Sequence, residues 1–222
     1  MNRRPMILTS IAVIGVMVLV GAWAWVQLPT DAQVPIHWGA DGQPDDWATK
    51  TVGLFLMPLI AVGITALFAA IPRIEPRRTN LERSATAYGA IWIGVILLLG
   101  GMQLLAVSAA MGAGFDMTRI VFVATGALFI VIGNYLPKVR PNYMVGIRTP
   151  WTLTSDVAWT KTHRIGGRLF VIEGIVMAAL GLAGVSGVPL VGAVIGGVVV
   201  LLIVTFAYSY QVWNADPEKR AR

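Results

Sequence analysis

Cysteine is absent from the 222 residues, which excludes disulfides, thiolate metal sites and cysteine nucleophiles and leaves the compartment open on redox grounds. Charge is nearly as scarce. Asp, Glu, Lys and Arg make up 13% of the chain while 56% is hydrophobic, against roughly 25% charged in ordinary soluble domains. A single soluble core cannot bury that balance, so the composition describes a polytopic membrane protein. Enzyme motifs are missing as well: there is no nucleophile elbow, no phosphate-cradling glycine loop and no pair of carboxylates inside an apolar segment. The chain is therefore expected not to be an enzyme and to use no cofactor. A formal net charge of +6 suggests nucleic acid at first sight, but the basic residues border hydrophobic segments and no nucleic-acid motif accompanies them. No direct nucleic-acid partner is expected.

What is present is a series of six apolar runs, at about residues 6–26, 52–71, 87–111, 120–136, 169–185 and 189–213. Each approaches or exceeds the roughly 20 residues that cross the hydrocarbon core. The first is longer than the roughly 7–15 apolar residues of a secretory leader, and no small-residue cleavage site follows Gln27, so it reads as an uncleaved first helix. Six crossings put both termini on one side. Arg3, Arg4, the cations of 73–83, those of 138–168 and Lys219, Arg220 and Arg222 make 15 of the 17 Lys and Arg on that side, with Lys50 and Arg119 on the other. The positive-inside rule then predicts cytoplasmic termini. The expected fold is all-α, a polytopic bundle of six transmembrane helices, divided into a two-helix region, 1–75, and a four-helix region, 76–222.

The expected outer loop between the first two helices holds Asp31, Asp41, Asp45 and Asp46 against Lys50, with Pro29, Pro35, Pro44, Gly39 and Gly42. Proline fixes backbone torsion and glycine permits tight turns, so an ordered turn structure is expected rather than a helix. Trp38 and Trp47 suit the headgroup level. His37 beside the aspartates has ligand chemistry, but one imidazole is too little for a metal cage, and no metal is assigned. The stretch 73–84, basic and broken by Pro76, reads as a topology determinant facing anionic lipid.

The basic connection 137–168 is the densest in unusual residues. Lys138, Arg140, Arg148, Lys161, Arg164 and Arg168 lie among Asn134, Pro137, Pro141, Asn142, Pro150, Trp151, Trp159 and His163. His163 follows Trp159 by four residues, so the two share a helix face, and Ser155 or Asp156 can cap that helix. Two readings stand side by side: a surface that receives a partner or an anionic group, or an interfacial helix whose Trp anchors and whose Arg residues meet lipid phosphate. Glu173 lies about one turn inside the fifth apolar run, an expensive place for a carboxylate and a functional suspect, although a side chain near the interface can snorkel or pair. Asn134 and Gln103 are expected to hydrogen-bond between helices, and Gly89, Gly94, Gly100 and Gly101 to permit close helix contact. A small-molecule or ion transporter, with Glu173 and Gln103 lining a path, is one alternative. A structural membrane protein with a lipid-binding loop is another.

The string Asn134-Tyr135-Leu136-Pro137, Pro141-Asn142-Tyr143, Gly146-Ile147-Arg148-Thr149-Pro150-Trp151-Thr152-Leu153, Trp159, Thr162-His163 and Gly166-Gly167 resembles the SdpI-type family of membrane immunity proteins. Leu28-Pro29, Pro35-Ile36-His37-Trp38, Gly42 and Pro44-Asp45 resemble the small domain of unknown function that often precedes that region. Met144 departs from a common aromatic, and Trp38-Gly39-Ala40-Asp41 from a stretch where asparagine is frequent. The resemblance implies a multi-pass protein of the bacterial cell membrane that protects against a secreted, membrane-active peptide toxin. It also implies capture of an ArsR-type transcriptional repressor at the membrane when toxin binds. Asn134, Pro137, Asn142, Tyr143, Gly146, Arg148, Thr149, Pro150, Trp151, Trp159, Thr162, His163 and Arg164 are then candidates for partner binding. Pro35, His37, Trp38, Gly42 and Asp45 are candidates for contact with the ligand. Membrane lipid surrounds both sets.

Overall fold

The computed structural model describes residues 1–217, so the tail cations Lys219, Arg220 and Arg222 lie outside the described residues. In chain order the elements are α1 (Arg4–Gln27), β1 (Gln33–Trp38), β2 (Pro44–Thr49), α2 (Lys50–Ile74), α3 (Arg78–Arg83), α4 (Ala85–Ala110), α5 (Met117–Tyr135), α6 (Pro150–Thr154), α7 (Asp156–Leu182) and α8 (Gly187–Asn214). Six of them, α1, α2, α4, α5, α7 and α8, are long and apolar enough to cross a membrane. The six-helix membrane bundle expected from the apolar runs is therefore the architecture found. Its helices alternate in direction, so one end gathers the N-terminus, α3, α6 and the start of α7. The other gathers β1, β2 and the short α4–α5 and α7–α8 connections.

Between α1 and α2 the chain does more than turn. Residues Gln33–Trp38 and Pro44–Thr49 pair as an antiparallel hairpin, with register shifts between Pro35 and His37 and between His37 and Trp38. A two-stranded hairpin is marginal by itself; this one is docked. Val34 is fully buried where Gly53 of α2 leaves room, since a Cβ at position 53 would collide with the valine. At the tip, Gly42 takes φ +78°, and Thr118 Oγ1 donates to Gly39 O at 3.0 Å, tying the turn to the start of α5. Lys50 Nζ donates to the carbonyls of Trp25 and Leu28 at 3.0 and 3.1 Å, satisfying the end of α1.

In lipid the hydrophobic effect does not press helices together, so contact depends on fit. The closest pair is α5 with α7. A Cβ added to Gly126 or Gly133 of α5 would lie 2.6 or 2.5 Å from the carbonyl oxygens of Gly174 and Gly167, and the reverse substitutions meet the oxygens of Gly126 and Gly133. The glycines recur every seven residues on both helices, so two backbones touch directly at two levels. On the other side of the bundle α1, α2 and α4 pack around Trp92, whose Nε1 donates to Ser10 Oγ at 3.0 Å and whose ring stacks on Phe68 at 5.5 Å. Three of the four glycines expected at helix contacts are used: Gly89 against Met6, Gly94 against Leu128 and Gly100 against Val13, whereas Gly101 meets open space.

Two expectations change. The fifth apolar run is only part of α7, which begins at Asp156, so the basic helix and the membrane helix are one rod. Glu173 is the eighteenth of its 27 residues, counting from Asp156, and lies one turn past Leu169, where the apolar run begins. Asn134 does not bridge helices: its Nδ2 donates to Ile130 O, one turn back on the same helix. Gln103 does bridge, its Nε2 donating to Leu54 O at 2.9 Å.

Candidate functional site

The stretch rich in unusual residues folds into a cap over the basic end, and its logic is hydrogen bonding. Asn142 closes the turn after Pro141: its Nδ2 donates to the carbonyls of Arg140 and Val145, and its Oδ1 accepts from the amides of Met144 and Val145, all at 2.7–2.9 Å. Every valence of that amide is used, the form a buried Asn requires. Thr149 caps α6 in a reciprocal box with Thr152, with Pro150 in the first turn, where its missing N–H costs nothing. Thr149 Oγ1 also donates to Ser209 Oγ at 3.0 Å and fastens α6 to α8, while Trp151 packs edge-on to Phe206 at 4.7 Å. Ser155, the expected cap, accepts from the amide of Ala158 and opens α7.

His163 is the keystone. Its Nε2 faces the amide of Ile147 at 3.1 Å, and an amide can only donate, so Nε2 is the acceptor. Nδ1 then carries the proton and donates to Trp159 O at 2.8 Å. The Trp159 indole stacks on the imidazole at 4.0 Å and donates from Nε1 to Val139 O at 2.8 Å. Gly146, at φ +123°, passes over this pair where any Cβ would strike His163 Nε2. The Gly-Ile-Arg-Thr-Pro-Trp string is therefore a chain path laid across a Trp–His stack.

Both readings of the Trp159–His163 face need correction. Trp159 is 1% exposed, and Thr162 and His163 are fully buried, so this face meets neither a partner nor lipid. Of the expected partner-binding set, Asn142, Thr149, Trp159, Thr162 and His163 are interior, Gly146 and Trp151 are half-buried, and Asn134, Pro137, Tyr143, Arg148, Pro150 and Arg164 reach the surface. Arg148 Nη1 donates to Tyr143 O at 2.9 Å, and the Arg77 guanidinium lies 5.1 Å over the Tyr143 ring. Glu75, invisible in the sequence as a site residue, is 4% exposed and accepts from the amides of Arg77 and Tyr143. With Asn80 Nδ2 on Pro141 O and the Arg140 amide on Ser84 Oγ, it binds the link 75–84 to the cap as one block.

At the opposite end lies space. A cavity of about 680 Å³ opens between the hairpin and α2, α4, α5 and α8. The candidate ligand residues Pro35, His37, Trp38 and Asp45 form its hairpin wall, with His37 Nδ1 paired to Asp45 Oδ1 at 2.5 Å. Gly42 stands outside it, at the hairpin tip over the Asp116 carboxylate. Sequence reasoning missed most of the helical walls, Met57 of α2, Met102 of α4 and Phe122 of α5; Gln103 of α4, named only for packing or a transport path, lines it too. Gln103 is fully buried, and its Oε1 has no hydrogen-bond partner. The spacing of Gly53, Leu56 and Met57 on one face of α2 was the available signal, and inside a transmembrane helix it cannot be told from ordinary packing.

Residues 138–209 match the SdpI/YfhL protein family, and residues 12–62 match a domain of unknown function (DUF1648). The first covers most of the cap together with α7 and most of α8; the second covers the hairpin with the adjoining parts of α1 and α2. Over 150 residues the chain is 23% identical to the Immunity protein SdpI of Bacillus subtilis (strain 168), across 67% of this chain and 69% of that protein. No solved structure matches. The matches fall on the two stretches whose motifs carried the resemblance.

Proposed function

We propose that this SdpI-like membrane protein is an immunity protein and receptor that meets a secreted, membrane-active peptide toxin at its hairpin end. Its basic cap, in the same reading, holds an ArsR-type repressor on the cytoplasmic side. The observation that carries the reading is the cavity walled by the hairpin, at the end of the bundle opposite the cap. Lys and Arg gather at the cap end and the termini, which the positive-inside rule assigns to the cytoplasm, so the cavity opens outward. The partner-facing set then contracts to Asn134, Pro137, Tyr143, Arg148, Pro150 and Arg164, the members that reach the surface around the buried core.

The test is survival. A sensitive bacterium expressing the wild type is challenged with rising doses of an SDP-like peptide, beside His37→Ala, Trp38→Ala and Arg148→Ala at matched membrane levels. Protection by the wild type, lost in the hairpin variants and kept in Arg148→Ala, is the expected pattern. Absence of protection by the wild type against such peptides removes the immunity reading. One observation favours transport instead: Glu173, on a helix long and apolar enough to cross a membrane, sits in room left by Gly197 of α8, with Oε1 unpartnered. Proton or cation flux in reconstituted vesicles, abolished by Glu173→Gln, would establish that reading; a wild type without flux removes it.

A further inference from the structure

The cavity differs from the rest of the surface in three respects. First, its walls are soft. Three of the nine methionines, Met57, Met102 and Met117, line it with Phe122 and Val121. Thioethers on unbranched chains adapt to apolar shapes, the property of surfaces that accept many peptide sequences. Second, its volume falls within the roughly 300–1,000 Å³ of ordinary ligand pockets, enough for a few side chains and too little for a helix. Third, the bundle end that forms its rim is acidic. Asp45 lines the cavity, and Asp31, Asp41, Asp46 and Asp116 lie at the same end, in the α1–α2 connection and before α5, against Lys50 and Arg119. Both cations are already directed inward, Lys50 to the end of α1 and Arg119 Nε to Gly181 O at 3.1 Å.

We infer that this cavity takes the apolar side chains of a cationic amphipathic peptide helix lying across the hairpin end, its cations meeting the rim aspartates. The inference rests on the proposed toxin reading and names the chemistry of the ligand and the helical half of its site. An acidic or neutral apolar peptide gains nothing at the rim, and a soluble cation gains nothing in the cavity. Only a ligand with both faces uses both.

The experiment is photocrosslinking on purified full-length protein in nanodiscs of zwitterionic phosphatidylcholine, which removes general attraction of cations to lipid. The probe is a synthetic Leu/Lys amphipathic helix with one photoreactive leucine on its apolar face. Crosslinks should map to Met57, Met102 or Phe122. They should fall at least fivefold in Ala106→Phe, which fills the cavity from α4, and in Val191→Phe, which fills it from α8, with thermal unfolding unchanged in at least one of them. A Leu/Glu helix should crosslink at least fivefold less than the Leu/Lys helix. Labelling confined to lipid-facing residues such as Leu59 and Val199, or equal yields with cavity-filled variants, overturns the inference. So does native mass spectrometry showing a phospholipid retained by the wild type, lost from Ala106→Phe and not displaced by the peptide. Protection of cells without cavity labelling defeats this inference alone; cavity labelling without protection defeats the immunity reading alone.

Discussion

The two ends of the bundle spend their polar groups in opposite ways. At the basic end Asn142, Thr149, Thr152, Ser155, Trp159 and His163 turn inward and bond to backbone or to each other. At the hairpin end His37 and Asp45 pair in the open, half or more exposed, above a cavity lined by methionine, valine and phenylalanine. The first arrangement has one solution and tolerates no slack, because a buried donor without an acceptor costs more than the bond itself contributes. The second can shift. A dense motif of unusual residues thus marks where the chain path is fixed, and the place with room for a ligand is built from commonplace residues.

Substitutions at the basic end should therefore act on stability first. The largest effect is expected from Gly146→Ala. A methyl group at φ +123° is strained and strikes His163 Nε2, and strain of that kind costs about 1–3 kcal/mol before the lost contacts are added. Thermal unfolding in detergent should drop by about 8 °C or more, with little monodisperse protein recovered. His163→Ala follows, since the Ile147 amide loses its acceptor and Trp159 its stacked neighbour. About 2–3 kcal/mol is expected, read as a fall of about 4–10 °C. An unchanged melting temperature in either variant would mean that the cap is not held by this stack. Loss of repressor capture in His163→Ala would then report contact instead of folding.

Much of this architecture was legible beforehand. The six runs and the one-sided cations follow from hydrocarbon thickness and the cost of burying charge, which act on composition. Ser155 as a cap and the shared face of Trp159 and His163 follow from helix period. Burial was not legible, because a Trp and a His beside arginines describe an interfacial helix as well as they describe a core. What decides is the glycine path over the rings, a tertiary fact. The hairpin was hidden by Pro35 and Pro44, which argue against strands in general; here one lies at a register shift and the other begins its strand. The start of α7 was not legible, because the membrane helix was begun at Leu169, with the apolar run, although the rod starts thirteen residues earlier.

At the hairpin end the expectation reverses: function should respond where stability does not. Met102→Ala and Trp38→Ala remove side chains bordering empty volume, so little packing is lost, and unfolding should move by no more than about 3 °C. Peptide crosslinking should nevertheless fall about threefold or more. If Met102→Ala unfolds as readily as His163→Ala, the cavity is part of the packed core and the contrast between the ends fails.

The smallest structural effect is expected from Arg148→Ala. Its guanidinium makes one hydrogen bond, to Tyr143 O, on an exposed rim, and the backbone beside it is held independently by Thr149, Thr152 and His163. Unfolding should change by about 2 °C or less. The variant therefore separates scaffold from contact at the basic end, which no interior substitution can do. If the cap recruits a repressor, the loss of co-purified repressor should be several-fold at high and at low salt alike, because a shaped contact survives screening. A loss confined to low salt would mean that the cap attracts any anionic surface, and the basic end would then be read as lipid-facing.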